Sequence, residues 1–121
     1  MVNVLLVDDD MDIRSALIMA LCLYGKDFSA IEACEGGEAI AIIEKASPPI
    51  DIVITDLNMA PGLSGLELIS WMKARGLKTP ILMLTAHEPK NSGADIVLQK
   101  PPDFGLLTVS FLGLLEKIKN Q

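Results

Sequence analysis

The sequence predicts an α/β fold in which a parallel sheet is covered by helices on both faces. Short apolar runs alternate with helix-period segments along all 121 residues, the pattern of strands joined by right-handed crossovers. The first run, Val2-Asn3-Val4-Leu5-Leu6-Val7, is almost continuously apolar, as befits a strand buried on both faces. Acids, a hydroxyl and an amine recur where such runs end, and in a parallel sheet those ends share one edge, where open α/β sheets bind ligands.

The predicted strands cover residues 2–7, 29–33, 50–55, 80–85 and 96–98, and the helices 11–24, 38–45, 66–74 and 104–119. The first strand ends in Asp8-Asp9-Asp10. Stacked like charges there are unfavourable unless a cation, a proton or open solvent relieves them, so the trio suggests a cation site. In the first helix Ile13, Ala16, Leu17, Ala20 and Leu21 share a face. Asp10 or Asp12 favours its start and Gly25 its end. Pro48-Pro49 and Pro80 precede strands, where proline is tolerated. In the last helix Phe104, Leu107, Phe111, Leu114, Leu115 and Ile118 form a core-facing stripe. Leu106, Val109 and Leu112 lie off it, either as scattered exposed residues or as a homodimer or partner surface. Trp71 reads as core or half-buried packing. With no repeat, low-complexity tract or linker, residues 1–121 read as a single domain.

Half of the residues are hydrophobic, yet no uninterrupted run approaches the ~20 apolar residues of a membrane span. No secretory-type leader is present, so a cytoplasmic location is expected. Cys22 and Cys34 are expected to be reduced, buried structural thiols. The net charge of −6, without a basic cluster, argues against nucleic acid and anionic membrane as partners.

Asp56 ends the third run, Thr85 ends the fourth, and Lys100 follows the fifth. One strand-end aspartate has a plain explanation as a cap or turn; several groups at one edge do not. Asp8, Asp9 and Asp56 carry about −3 when ionised, which a hard divalent cation and Lys100 together offset. An ionised Asp56 can then attack an electrophilic phosphorus, with the cation, Lys100, the Thr85 hydroxyl and backbone N–H groups stabilising the equatorial oxygens. The single histidine, His87, builds no nucleophilic triad with these residues.

With Val7-Asp8-Asp9, Asp56-Leu57-Asn58-Met59, Leu84-Thr85-Ala86 and Lys100-Pro101 in order, the chain resembles the receiver domain of bacterial two-component response regulators, including the chemotaxis regulators. The resemblance implies a flavodoxin-like, doubly wound five-stranded parallel sheet of order 2-1-3-4-5 with five helices. It also implies a phosphoryl group taken from a sensor histidine kinase or phosphotransfer protein. Asp56 would be the phosphoacceptor. Asp9, Asp56 and the main-chain carbonyl of Asn58 would bind Mg²⁺ (or Mn²⁺), and Asp8 would act through a metal-bound water. Thr85, Lys100 and the Ala86 N–H would contact the phosphoryl group. Such a module assists its own phosphorylation and dephosphorylation without turning over a separate substrate. Asp10 has no role in that pattern, and helix capping or solvation is expected of it.

Three departures from the family pattern stand out. A longer loop is expected to shift over the site while the metal ligands survive. An altered aromatic and a shortened helix segment together favour a remodelled output face over harmless family drift. The loop Met59-Ala60-Pro61-Gly62-Leu63-Ser64-Gly65 is one residue longer than usual. Val97 stands where the family has an aromatic that changes rotamer as the threonine moves. The stretch from Ala86 to Asp95 is short by roughly two helical turns, and Pro89, Asn91, Ser92 and Gly93 are poor helix formers. The fourth of the family's helices is therefore expected to be reduced or missing. His87 lies where the family tunes phosphoryl loss, though a solvent-exposed loop histidine is the plainer reading. The alternatives are a phosphorylation-independent interaction module on the same fold and a Mg²⁺-dependent phosphohydrolase. The latter lacks its usual Asp-x-Asp motif after the first strand. No output segment follows residue 119, so the chain is expected to stand alone or to be excised from a longer protein with a linked output domain.

Overall fold

A computed structural model describes residues 1–23, 27–59, 62–86, 92–100 and 103–119, the side chain of Lys119 excepted. Among them the elements run β1 (Val2–Val7), α1 (Met11–Cys22), β2 (Phe28–Ala33), α2 (Gly36–Lys45), β3 (Ile52–Asp56), α3 (Gly65–Ala74), β4 (Ile81–Thr85), β5 (Ile96–Gln99) and α4 (Phe104–Lys119). The strands form one parallel sheet in the order β2-β1-β3-β4-β5, the flavodoxin-like arrangement. No helix among the described residues is long and apolar enough to cross a membrane.

The two-residue period of the strands sorts the core into two layers. Leu5, Val7, Val53, Ile81 and Met83 point to one face and pack with Ala39 of α2 and Leu68, Ile69 and Met72 of α3. Val4, Leu6, Ile52, Ile54, Leu82 and Leu84 point to the other. They meet Leu17 and Leu21 of α1 and Leu107, Phe111, Leu114 and Leu115 of α4. The central strands β1, β3 and β4 are thus buried on both faces, which explains their nearly unbroken apolar sequences. β1 and β3 are neighbours although the chain visits β2 between them. Their C-terminal ends flank the switch point of the sheet, where such folds open a crevice.

Local chemistry sets the helix boundaries. Asp10 caps α1, its side chain accepting from the Asp12 N–H at 2.9 Å. The helix ends at Cys22, and Gly25, its expected stop, lies outside the described residues. α2 starts at Gly36, two residues before its predicted start, because the Glu35 carboxylate accepts from the Glu38 N–H at 3.0 Å. Ser64 and Glu67 close a capping box at the start of α3. β3 starts at Ile52 rather than 50, and Asp51 instead exchanges two 2.8 Å bonds with the Asn3 backbone.

The fourth helix along the chain, α4, is the terminal one and follows β5. Between β4 and β5, Ala86 and residues 92–95 are non-helical. The expected loss of helix in this connection otherwise falls on residues 87–91, outside the described residues, as does His87.

Three burial expectations need correction. Phe104, placed on the core stripe, is 44% exposed, because the first residue of α4 reaches past the packed turns to line a groove with Met19 and Leu23. Cys22 and Cys34, expected to be buried, are exposed, since each sits at the end of its element. Leu112 packs, half-buried, on the α1–α4 core, whereas Leu106 and Val109 are exposed.

Leu106 and Leu107 adjoin on α4 but are 52% and 0% exposed. Leu107→Ala is expected to cost about 2–5 kcal/mol in urea unfolding through loss of contacts and an unfilled cavity. Leu106→Ala is expected to stay within about 0.5 kcal/mol. Equal costs would contradict the orientation of α4.

Candidate functional site

Each strand of the sheet's centre delivers one group to the C-terminal edge. Val7 pairs with Ala33 and Thr55 on either side. One residue on, the Asp8 N–H still donates to the Ala33 carbonyl at 3.1 Å, so Asp8 is held like a strand residue and is only 2% exposed. Asp56 is the last residue of β3, opposite Leu84 of β4, and is 9% exposed. The Thr55 hydroxyl donates to its carbonyl at 2.9 Å, and the Leu57 N–H donates to its Oδ1 at 2.7 Å. Thr85 ends β4, fully buried, and its carbonyl accepts from the Lys100 N–H at 2.9 Å.

Glycine is required at one point of this frame. The Gly65 N–H donates to the Leu57 carbonyl at 2.8 Å, and a Cβ at Gly65 would lie 2.0 Å from the Asp56 carbonyl oxygen. Only a residue without a side chain lets α3 begin this close to Asp56.

The Lys100 ammonium closes the site. Its Nζ lies 2.6 Å from Asp8 Oδ2 and 3.1 Å from Asp56 Oδ2. Oxygens of Asp8, Asp9 and Asp56 all fall within 4.8 Å of one another. Three carboxylates at that spacing form a hard-oxygen donor set that suits a divalent cation of the Mg²⁺ type. Asp9 is exposed, as an open coordination position requires. Asn58 is exposed two residues beyond Asp56, and Ala86 is exposed directly after Thr85. The structure therefore gathers Asp8, Asp9, Asp56 and Lys100 and puts Thr85, Ala86 and Asn58 at the same edge.

Partial burial, a hydrogen bond with Asp8, and the charges of Asp8 and Asp56 raise the Asp9 pKa above the usual aspartate value. Burial by itself would lower the pKa of Lys100, but its bonds to Asp8 and Asp56 and their charges leave it above the usual lysine value.

Arg14 was not singled out from the sequence. It is 8% exposed, its Nε donates to Glu32 Oε1 at 2.9 Å, and its Nη1 donates to the main-chain carbonyl of Asp8. The available signal was its place at i, i+3, i+7 with Leu17 and Leu21, which puts an arginine on the buried face of α1.

The chain belongs to the response regulator receiver domain family, which it matches over residues 4–109. It is 34% identical over 123 residues to the transcriptional regulatory protein TrcR of Mycobacterium tuberculosis, covering 96% of this chain and 46% of that protein. It is 33% identical over 102 residues to the response regulator protein FleR of Pseudomonas aeruginosa, covering 84% of this chain and 20% of that protein. The chain thus spans less than half the length of these relatives. Among solved structures, chemotaxis response regulator CheY4 of Vibrio cholerae superposes with a TM-score of 0.79 at 32% identity, covering 94% of this chain and 98% of that one. TrrA of Thermotoga maritima, in complex with Mg²⁺ and BeF, superposes with a TM-score of 0.83 at 30% identity, covering 94% and 99%. Fold and family are those of phosphorylation-based two-component signalling.

The raised Asp9 pKa has a definite sign for stability. An acid whose folded pKa exceeds its unfolded value destabilises the fold when ionised, and that cost disappears as pH falls through the folded pKa. Asp9→Asn is therefore expected to raise the Tm slightly at neutral pH in chelator. It is also expected to abolish most of the upward Tm shift that a divalent cation produces in the wild type. Thermal unfolding in chelator and in excess Mg²⁺ measures both, and a lower Tm for the variant in chelator would contradict the charge account.

Proposed function

We propose that residues 1–121 act as one receiver domain that takes a phosphoryl group from a phosphohistidine donor onto Asp56. The observation that carries this is the Lys100 ammonium, within 2.6 Å of Asp8 and 3.1 Å of Asp56, which ties the ends of β1, β3 and β5 into one cluster whose remaining negative charge suits a divalent cation. Membership of the receiver family supports the reading, as does similarity to a structure that holds Mg²⁺ and BeF.

In this reading Asp9, Asp56 and the Asn58 main-chain carbonyl would hold Mg²⁺ (or Mn²⁺), with Asp8 acting through water, and the ion would supply positive charge to offset that of the transferring group. An Asp56 carboxylate oxygen attacks phosphorus; a P–O bond forms as the P–N bond to the donor imidazole breaks, and the leaving nitrogen takes up a proton. Lys100 turns from the carboxylates toward the phosphoryl oxygens, and the Thr85 hydroxyl and Ala86 N–H donate to the same group. Attack of water on phosphorus later breaks that P–O bond, releasing inorganic phosphate and restoring the carboxylate. No separate substrate is turned over.

The donor is a sensor histidine kinase or phosphotransfer protein in the cytoplasm, and the phosphorylated state favours one arrangement of the distal loops. The recipient is a protein partner or a linked output domain. Relatives of this chain include proteins named as a transcriptional regulator and as a cyclic di-GMP phosphodiesterase. Exposed Leu106 and Val109 on α4 offer a homodimer surface.

A second reading is a phosphorylation-independent interaction module on this fold. Val97 favours it: the side chain packs, half-buried, on the α2–α3 core, where an aromatic would otherwise report the movement of Thr85. In that case partner binding is indifferent to Asp56→Asn.

Addition of Mg²⁺ and beryllofluoride to ¹⁵N-labelled protein is expected to move amide resonances around Asp56, Thr85 and Lys100. Asp56→Asn is expected to weaken that response at least tenfold in concentration. A silent wild type, or an undiminished response in the variant, would contradict the proposal.

A further inference from the structure

We infer that Arg14 is a positioning residue, holding the β1–α1 loop so that Asp9 presents its carboxylate to the cation site. The inference rests on the receiver reading above.

The buried positions of α1 are Arg14, Leu17, Ala20 and Leu21. A guanidinium in such a row is costly unless its donors are satisfied, and an apolar residue would fill the same space more cheaply. Arg14 uses its donors on two specific partners. Its Nε is fixed on Glu32, which lies opposite Leu6 in the β1–β2 ladder. Its Nη1 reaches the carbonyl of Asp8, the residue directly before Asp9.

The peptide joining Asp8 to Asp9 is thereby held from several sides. The Asp8 N–H is in the ladder with Ala33 at 3.1 Å. The Asp8 carbonyl is taken by Arg14. The Asp8 Oδ1 accepts from the Asp10 N–H at 2.9 Å, and Oδ2 from Lys100 at 2.6 Å. Asp9 itself is exposed, so its aim depends on the backbone that carries it. Freeing the Asp8 carbonyl lets that peptide rotate and swings the Asp9 side chain with it. A planar guanidinium serves both Glu32 and the carbonyl at fixed angles, whereas a single ammonium cannot reproduce that fork.

Three explanations of Arg14 make different demands. As packing alone, it is replaced by methionine without effect on the site. As a counter-charge alone, it is replaced by lysine. As a positioning residue, neither replacement suffices, and the loop changes even without metal.

The test compares Arg14→Met, Arg14→Lys and Glu32→Gln with Leu17→Ala, which perturbs the same face of α1 without touching the loop. Calorimetric titration with Mg²⁺, well below every Tm, gives affinity, and amide resonances of Asp9 and Asp10 in chelator give the metal-free loop. Arg14→Met is expected to lower Mg²⁺ affinity about 10–100-fold, the usual effect of losing a partner that orients a ligand. It is also expected to displace both amide resonances in chelator. Arg14→Lys is expected to recover affinity only partly, and Glu32→Gln to lose less than Arg14→Met. Leu17→Ala is expected to lower the Tm while leaving affinity within about twofold of the wild type, because it removes none of the hydrogen bonds to the Asp8 peptide.

Wild-type affinity in Arg14→Met, or an equal loss in Leu17→Ala, would overturn the role assigned to Arg14. If Arg14→Met does not fold, full wild-type affinity in Arg14→Lys overturns it instead. A wild type that binds no Mg²⁺ would overturn the receiver reading itself. Unmoved Asp9 and Asp10 resonances in metal-free Arg14→Met or Arg14→Lys would overturn the positioning role whether or not the wild type binds the ion.

Discussion

The contacts from Lys100 to Asp8 and Asp56 are the constraint on which the C-terminal edge of this sheet depends. Asp8 and Asp56 end neighbouring strands and are almost wholly buried. Two carboxylates in that position repel each other and lose hydration, and both effects are unfavourable. A single ammonium from the far side of β4 answers both. It reaches them because the backbone N–H of the same lysine is bonded to the Thr85 carbonyl, which fixes where β5 ends relative to β4.

Backbone groups hold much of the rest of the edge, beside the Arg14 and Thr55 side chains that bond the Asp8 and Asp56 carbonyls. Leu57 donates to the Asp56 carboxylate, Asp10 donates to that of Asp8, and Gly65 brings the first turn of α3 against the Asp56 peptide. These bonds keep the acids in place while leaving Lys100 and exposed Asp9 as the groups able to respond to a cation or an incoming phosphoryl group. Under the proposed function that division would suit a switch, with Asp56 as acceptor and Lys100 and Asp9 as the charges that respond to its state.

Much of this was legible in the sequence for identifiable reasons. Strands buried on both faces announce themselves as apolar runs, and a parallel sheet brings all their ends to one edge, so Asp8, Asp9, Asp56, Thr85 and Lys100 could be assembled before any coordinates. What escaped was what depends on partners distant in sequence. Helical spacing puts Arg14 on the buried face of α1, but its role shows only once Glu32 and the Asp8 carbonyl are seen beside it. The early start of α2 was hidden because Gly36 and Gly37 are poor helix formers, and the Glu35 cap offsets that weakness. Phe104 fits the core stripe by angle, but its place on the first turn leaves it against Met19 and Leu23 at the surface. Helical periodicity reports direction around an axis, not distance along it. Cys34 was read as a buried thiol from its strand, yet it lies one residue past the last paired position, Ala33.

If this constraint holds, Lys100 and Asp8 are energetically coupled across the sheet in the metal-free protein. A double-mutant cycle with Lys100→Met and Asp8→Asn, followed by urea unfolding in chelator, measures that coupling directly. The two changes are expected to be non-additive by roughly 0.5–3 kcal/mol, the double variant being more stable than the sum of the single losses implies. Strict additivity would contradict it.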